Sequence, residues 1–394
     1  MRRVKLKDIT EHVRNGKSIK NSSDGVGLPI TRIETISDGN FNQEKLGYGG
    51  VKDQDKIRDY WLRDGDILMS HINSPKHLGK SAIFNHNGLD IIHGMNLLCI
   101  RPKKDDIIPE YLNYYFLTRD FDSYIKSISN QSVNQASFAA SKLKKLKIPL
   151  PSLSEQKAIV AKLDRAQRLI DIDRQMLAKY DELIQSVFLE MFGDPVNNSK
   201  DWGVKKLGEV CNKITDGTHH SPDTFEEEEY PYITAKHVDP FKVDFYSKPS
   251  YVKREDHEKI YSRCNPEQGD VLLIKDGATT GKAAINPYDF EFSMLSSLAL
   301  LKLDENKLRG NYLINVLNDE RYKDLIRQKY MSGVAIKRYT LKKINQFEIP
   351  IPKIELQEKF DVIVSKIDTE KKETLDSLKK SEELFSSLVQ GVFG

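Results

Sequence analysis

The chain has 394 residues, 30% of them charged and 39% hydrophobic, and its 61 Lys and Arg against 58 Asp and Glu leave a formal net charge of +3. Its longest apolar runs are a few residues, such as Val271-Leu272-Leu273-Ile274, where a membrane-spanning helix needs about 20, and the basic start Met1-Arg2-Arg3 has no apolar stretch behind it to make a secretory signal. Three cysteines with no close pair (Cys99, Cys211, Cys264) give neither a disulfide framework nor a zinc knuckle, so a reducing cytoplasm and no membrane are expected.

Taken in chain order, the elements come twice. Asp64-Gly65-Asp66 is a turn leading into an apolar strand, and Gln268-Gly269-Asp270 repeats it at an offset of 204. Gly79-Lys80-Ser81-Ala82-Ile83 returns as Gly281-Lys282-Ala283-Ala284-Ile285 at 202. The stretch from Pro109 to Leu117 reads as a helix, as does that from Gly310 to Leu317. Ser132-Val133 and Phe138 frame a loop that recurs between Gly333-Val334 and Tyr339 at 201, with Asn134-Gln135-Ala136-Ser137 inside one frame and Ala335-Ile336-Lys337-Arg338 inside the other. A constant frame holding different polar residues suits two domains of one fold that read two sequences; drift in an exposed loop is the plainer alternative. Lysines cluster just beyond, at Lys142, Lys144, Lys145 and Lys147, and Lys342-Lys343 repeats part of the patch. Such clusters neutralise phosphate or simply solvate a face. Arg32, and Lys236-His237, follow matched strands and are second-rank candidates for the same work.

Each domain ends in proline and then a long helix. Ile148-Pro149-Leu150-Pro151 answers Ile349-Pro350-Ile351-Pro352 at 201. Ser152 to Glu155 supplies a capping sequence, with Ser154 placed to bond a free amide. From Ile159 the apolar residues step by four and three through Leu163, Ala166, Ile170, Asp173, Leu177, Tyr180, Ile184, Val187 and Met191. The second seam keeps register through Phe360, Val364, Ile367, Lys371, Thr374, Leu378, Ser381, Phe385, Leu388 and Val392. That is a heptad pattern with polar positions at Asp173, Lys371, Thr374 and Ser381. A seam this narrow seeks another helix rather than a broad core, and its 33 residues span about 48 Å. In an antiparallel pair Asp173 is expected to approach Lys371, and helix length to act as a ruler between the domains. The expected fold class is α/β in the α+β sense: two similar mixed domains, 1–150 and 196–352, each followed by a helix, 151–195 and 353–394.

Motifs for chemistry do not hold up. Gly47-Tyr48-Gly49-Gly50 opens no clear helix, and Asn286-Pro287-Tyr288-Asp289 lacks the second proline of an adenine methyltransferase motif. Gly277 to Lys282 is one residue short of a phosphate loop and is followed by alanine where Ser or Thr must bind magnesium. His71, His77, His86 and His93 crowd one stretch that the second half repeats without them. The Glu226–Glu229 run reads as a solvated loop.

The proline lead-ins, the run Ser152-Leu153-Ser154-Glu155-Gln156-Lys157 with Lys162-Leu163-Asp164, the ending Phe192-Gly193-Asp194-Pro195, their copies up to Phe393-Gly394, and Asp216-Gly217-Thr218-His219-His220-Ser221-Pro222 resemble one family. It is the DNA specificity subunit of type I restriction–modification systems, and the resemblance covers essentially the whole chain in organisation. It implies two target-recognition domains that each read half of a split site in double-stranded DNA. It also implies two antiparallel helices that hold the domains apart and dock two methyltransferase subunits, with endonuclease subunits able to join later. S-adenosylmethionine then belongs to the methyltransferase partners; this chain carries no cofactor, no metal and no catalytic residues. Lys80 and Lys282 are then hairpin lysines that can face phosphate. Asn134 and Gln135 match adenine's donor–acceptor pair, while Lys337 and Arg338 match guanine's two acceptors; Ser137 and Tyr339 beside them are further candidate DNA contacts. A structural adaptor that does not touch DNA, and a free-standing modification enzyme, are the competing readings.

Overall fold

A computed structural model describes residues 2–19, 26–50, 55–86, 88–132, 135–331 and 338–393. The chain divides into two units. The first takes Met1–Arg174 together with Asp376–Gly394, the second takes Gln175–Leu375.

Each unit is built on a four-stranded antiparallel sheet. In the first the order is Thr10–Asn15, Leu97–Pro102, Asp66–Ser70, Ser81–Phe84; in the second it is Cys211–Asp216, Leu298–Leu303, Val271–Ile274, Ala283–Ile285. The central strands are largely apolar because both of their faces are covered, every residue of Asp66–Ser70 and of Val271–Ile274 being buried; in the first unit the polar Asp66 and Arg101 meet each other, with Arg101 Nε donating to Asp66 Oδ1 at 2.7 Å. Both sheets carry the same irregularity at their first strand, between Thr10 and His12 and between Cys211 and Lys213. In each unit the first strand pairs with the last, Arg3–Lys5 with Lys147–Pro149 and Gly203–Lys206 with Glu348–Ile351. The proline-bearing strands have one partner only, the position a residue without an amide proton tolerates.

Two glycines are demanded by close approach. A Cβ on Gly16 would stand 2.2 Å from the carbonyl oxygen of Gly94, and one on Gly217 would stand 1.9 Å from that of Met294. Gly217 belongs to the Asp216-Gly217-Thr218 motif, whose Asp216 is buried and accepts from Arg263 Nη2 at 2.6 Å, with Lys275 Nζ and His219 Nε2 both at 3.3 Å.

The long helices run Leu153–Phe192 and Ile354–Phe393. The first is capped by Ser152 rather than Ser154. The Glu155 amide donates to Ser152 Oγ (3.3 Å) and the Ser152 amide donates to Glu155 Oε2 (2.8 Å), the reciprocal pair of a capping box. One turn on, the buried Gln156 ties the helix to its domain: its Nε2 donates to Pro151 O and Asp106 O, and its Oε1 accepts from the Ile108 amide. Gln357 repeats all three bonds with Pro352 O, Lys307 O and the Arg309 amide.

Each core is completed by pieces of both helices. In the first unit Leu163, Val389 and Phe393 join the buried cluster, with Phe385, Leu388 and Val392 packed against it. In the second, Phe188, Phe192, Phe360 and Val364 do so. Low numbers on one helix therefore meet high numbers on the other, which is antiparallel pairing. The seam residues are buried or half-buried, with Leu163, Ile170, Phe360, Val364, Ile367 and Thr374 buried, but at the C-terminal ends burial shifts one residue on, to Phe188, Phe192, Val389 and Phe393. Ile159, Leu177 and Leu378 are half-buried.

The polar seam positions do not pair as expected. Asp173 Oδ2 accepts from Ser377 Oγ at 3.1 Å and from Ser381 Oγ at 3.4 Å, and neighbouring Arg174 meets Glu382 at 2.7 Å. Lys371 instead pairs with Asp181 at 2.6 Å. In this register residue 173 is level with residues 377–381 and residue 371 is level with 181. A polar position in the middle of each seam does not by itself put the two opposite one another.

Candidate nucleic-acid interface

The framed loop is anchored in the same way in both units. Phe138 donates its amide to His71 O (3.1 Å), and Tyr339 donates to Lys275 O (2.8 Å). His71 and Lys275 directly follow the strands Asp66–Ser70 and Val271–Ile274, which precede the glycine–lysine hairpins. In the first unit the loop forms a small sheet in which Ala136–Ser137 pairs with Ile72–Asn73 on one side and Asn130–Gln131 on the other. Its neck is closed by Ser132, whose amide and hydroxyl both donate to Gln135 O, at 2.8 and 2.9 Å. Gln135 is exposed and Ser137 half-buried. In the second unit Arg338 bridges to Asp276, its Nε 3.8 Å from the carboxylate, with half of the arginine side chain exposed. Asn134 and Lys337 lie outside the described residues.

Two candidates face the interior instead. Tyr339 is fully buried, its ring edge-on to Phe347 at 5.2 Å, and burial pushes its hydroxyl up to about 12. It is the frame's anchor, not its reading surface, because its main chain turns inward to bond Lys275. His237 is also buried, with both ring nitrogens occupied. Nδ1 accepts from the Thr234 amide (2.9 Å), and Nε2 lies 2.9 Å from Lys248 O, to which it donates. Burial lowers its pKa below the ordinary value, so it is a neutral turn-holder and not a phosphate contact. Tyr339 carries a signal that the sequence offers. It is matched by the aromatic Phe138, itself buried and edge-on to His71, and an aromatic kept on both sides of a duplication points to packing.

The remaining cations differ in how free they are. Lys236 is exposed. Lys282 pairs with Asp239 at 2.8 Å, and Lys80 donates to Ser37 O at 3.0 Å, so both hairpin lysines hold a neighbouring turn. Lys142 is exposed but donates to Ile128 O at 2.9 Å, neutralising the carboxyl end of the helix Arg119–Ile128. Lys144 is half-buried, and its carbonyl accepts from the Lys7 amide. Arg32 is half-buried with its guanidinium packed on Gly47, where an added Cβ would come within 2.3 Å of Nε. The patch is thus partly structural: each of these ties costs little to keep in water, yet leaves the cation near the surface.

The motifs weighed for chemistry have structural roles. Asn286 is buried and its side chain bonds Glu267 O, Tyr288 O and the Tyr288 amide. His93 is buried, bonded to Leu97 O, and pulled down to about 4 by burial. Among the described residues no group of three or more His, Cys, Asp or Glu side chains is placed to hold a metal ion, and no helix is long and apolar enough to cross a membrane.

Two copies of one domain, with a matched main-chain bond after loops of different sequence and with pieces of both antiparallel helices in each core, define an internally duplicated two-domain protein. The family described as type I restriction modification DNA specificity domain matches residues 1–179 and 199–381. The putative type I restriction enzyme MjaX specificity subunit of Methanocaldococcus jannaschii is 33% identical over 410 residues, covering 98% of this chain and 92% of that protein. The type I restriction enzyme EcoKI specificity subunit of Escherichia coli is 25% identical over 197 residues, 48% of this chain and 42% of its own. Among solved structures, the S subunit of a type I restriction–modification system from M. genitalium aligns with a TM-score of 0.52 at 15% identity, over 100% of this chain and 96% of that one. A structure from work on complex assembly and conformational transition of the type I R-M system gives 0.58 at 18% identity, over 100% and 97%. The chain belongs to the type I restriction–modification DNA specificity family. Its role is that of the specificity subunit, the non-catalytic component that decides which DNA sequence the system acts on.

Proposed function

We propose that each unit reads one half of a split site in duplex DNA, and that the paired helices dock two methyltransferase subunits, which carry S-adenosylmethionine and the transfer chemistry; endonuclease subunits complete the restriction form. The observation that carries this reading is the matched anchor with unmatched contents: the amide bonds of Phe138 to His71 O and of Tyr339 to Lys275 O recur at the same point of both units, while the polar residues just before them, 134–137 and 335–338, differ in sequence. Amide side chains at Asn134 and Gln135 suit adenine in one half-site, and the cations Lys337 and Arg338 suit guanine in the other. Ser137, Lys80, Lys142, Lys144, Lys236, Lys282 and Arg32 supply phosphate contacts that position without specifying.

Methylome sequencing of a host with and without the gene tests this directly, because a split motif present only with the gene is the expected result. Binding of the assembled complex to labelled duplex should fall steeply with salt as counterions are released. A flat salt response would favour a protein adaptor, and methyl transfer by the isolated chain would favour a free-standing enzyme.

A further inference from the structure

A second exposed turn differs between the units on a shared frame. In the first, the Thr35 amide donates to Arg32 O (3.1 Å) and the Asn42 amide to Thr35 O (2.8 Å). In the second, 202 residues on, the His237 amide donates to Thr234 O (3.0 Å) and the Asp244 amide to His237 O (2.8 Å). The hairpin lysines reach the same place in both, Lys80 to Ser37 and Lys282 to Asp239. Between these bonds the tips differ in sequence, Asp38-Gly39-Asn40 in one unit and Pro240-Phe241-Lys242 in the other, and only the second is flanked by a paired hairpin, Val238–Asp239 with Lys242–Val243.

The central residue of both tips is left-handed, with φ of 78° at Gly39 and 65° at Phe241. Glycine takes that conformation freely, whereas a bulky L-residue there is an outlier. A proline followed by a left-handed residue is the type II turn pattern, which asks for Gly or Asn at the second place. The phenylalanine ring is not held inside the fold in return, since the residue is 44% exposed and its anchoring bond is a main-chain one, Phe241 N to Ala283 O at 3.0 Å. An aromatic kept at a strained, solvent-facing tip, where the sister unit has glycine, points to a contact outside the chain.

The surroundings indicate which kind. Lys242 follows the ring directly, with 68% of its side chain exposed and its Nζ 2.8 Å from the Asp244 carboxylate. Lys236 is exposed on the same turn, Lys282 sits at its base, and Arg338 bridges to Asp276 in the loop that Lys282 closes. Three of these cations meet carboxylates, Asp244, Asp239 and Asp276, in surface pairs that contribute little to stability; an exposed ring beside cations that can exchange such a partner for a phosphate suits a polyanion with flat stackable faces.

We propose that Phe241 is a wedge: on duplex DNA its ring packs against one base step of the half-site read by the second unit and partly unstacks it, while Lys242 meets the adjoining phosphate. The first unit, with Gly39, reads its half-site without such a wedge. The second half-site then contains a deformable pyrimidine–purine step at the contact. This rests on the two-part DNA reading above, and the experiment separates the two.

The test uses the assembled complex with its methyltransferase partners and a cognate duplex carrying 2-aminopurine at successive steps of either half-site. Wild type is expected to brighten the probe at one step of the second half-site. Phe241→Gly is expected to keep or raise the melting temperature, because it removes the left-handed strain, and yet to bind about tenfold more weakly and lose that signal, the scale of one lost base–aromatic stack. Phe241→Trp should keep the signal. Gly39→Phe, for which the turn leaves open space around an added Cβ, should create a signal in the first half-site. Wild-type affinity and an unchanged probe signal in Phe241→Gly overturn the wedge, as does a defect in methyltransferase assembly with normal DNA binding once assembled. If wild type itself shows no salt-sensitive binding, the two-part reading falls with it.

Discussion

Phe192 and Phe393 occupy equivalent ends of the two long helices, 201 residues apart, yet each completes the core of a different unit. Phe393 is 4% exposed, with its ring centroid 5.0 Å from that of Tyr111 and 5.6 Å from that of Tyr115. Phe192 stands 4.8 Å from Tyr312 and 5.3 Å from Phe360. Truncating a buried Phe to Ala costs about 3–5 kcal/mol, and each aromatic pair lost accounts for about 0.5–1.5 kcal/mol of that. Against a domain stability of about 5–15 kcal/mol, this raises the population of opened protein by a factor of about 10² to 4 × 10³. The expected pattern is crossed. Phe393→Ala, next to the chain's last residue, should strip hydrogen-exchange protection from Asp66–Ser70 and Leu97–Pro102 and leave Val271–Ile274 and Leu298–Leu303 protected. Phe192→Ala should do the reverse. Peptide-resolved exchange by mass spectrometry reads both. Loosening confined to the C-terminal helix in Phe393→Ala, or falling on the second unit, would refute the antiparallel sharing of the cores.

Three further outcomes follow from particular groups. Burial holds His93 near 4 in the folded first unit while the unfolded chain protonates near 6.5, so the unfolded state binds the proton first and stability is lost as pH falls from about 6.5 to about 4, by about 3 kcal/mol from this group alone; His93→Gln should flatten acid unfolding of that unit, and an unchanged slope would count against it. Replacing Lys337 and Arg338 together by Ala should alter or abolish the second half of the methylated motif while leaving the first half, and an unchanged motif at unchanged occupancy would remove these residues from base reading. Inserting one heptad after Asp173 and one after Thr374 adds about 10 Å to each helix, the rise of about three base pairs; the half-site sequences should persist with a longer spacer, and an unchanged spacer in an active complex would sink helix length as a ruler.

The duplication was legible because repeated hydrogen bonds need repeated residues: Gln156 and Gln357, or Tyr111 and Tyr312, whose hydroxyls donate to Pro149 O and Pro350 O. The helices were legible because a heptad seam is a one-dimensional pattern. What could not be read was anything set by depth. His237 and Lys236 are adjacent in sequence, yet one is buried beneath the turn and the other exposed on it, and no local pattern distinguishes them. His237 answers Thr35 at 202, and Thr35 Oγ1 accepts from the Arg32 amide as His237 Nδ1 accepts from that of Thr234. Comparing the two copies for what both could do, and not for residue type alone, would have marked it as a turn-holder. The tip at Phe241 was missed for the opposite reason: an isolated Phe beside a proline attracts no notice until its sister position is seen to be a left-handed glycine.

In a chain of two copies, sameness and difference at the offset have separate physical causes. A buried bond such as the Gln156 amide to Pro151 O constrains both copies alike, because leaving a buried donor unmet costs about 1–3 kcal/mol in either. An exposed tip carries no such penalty, so the turns 38–40 and 240–242 are free to diverge. The helix seam obeys neither rule. Antiparallel pairing makes the partner of a seam residue a position other than its own copy. Asp173 is answered by Ser377 and Ser381, while its copy, Thr374, turns its hydroxyl back to Glu370 O of its own helix. A polar change in one seam therefore requires a change in the other helix, not at the repeated position, and that is why the two seams share register without sharing chemistry.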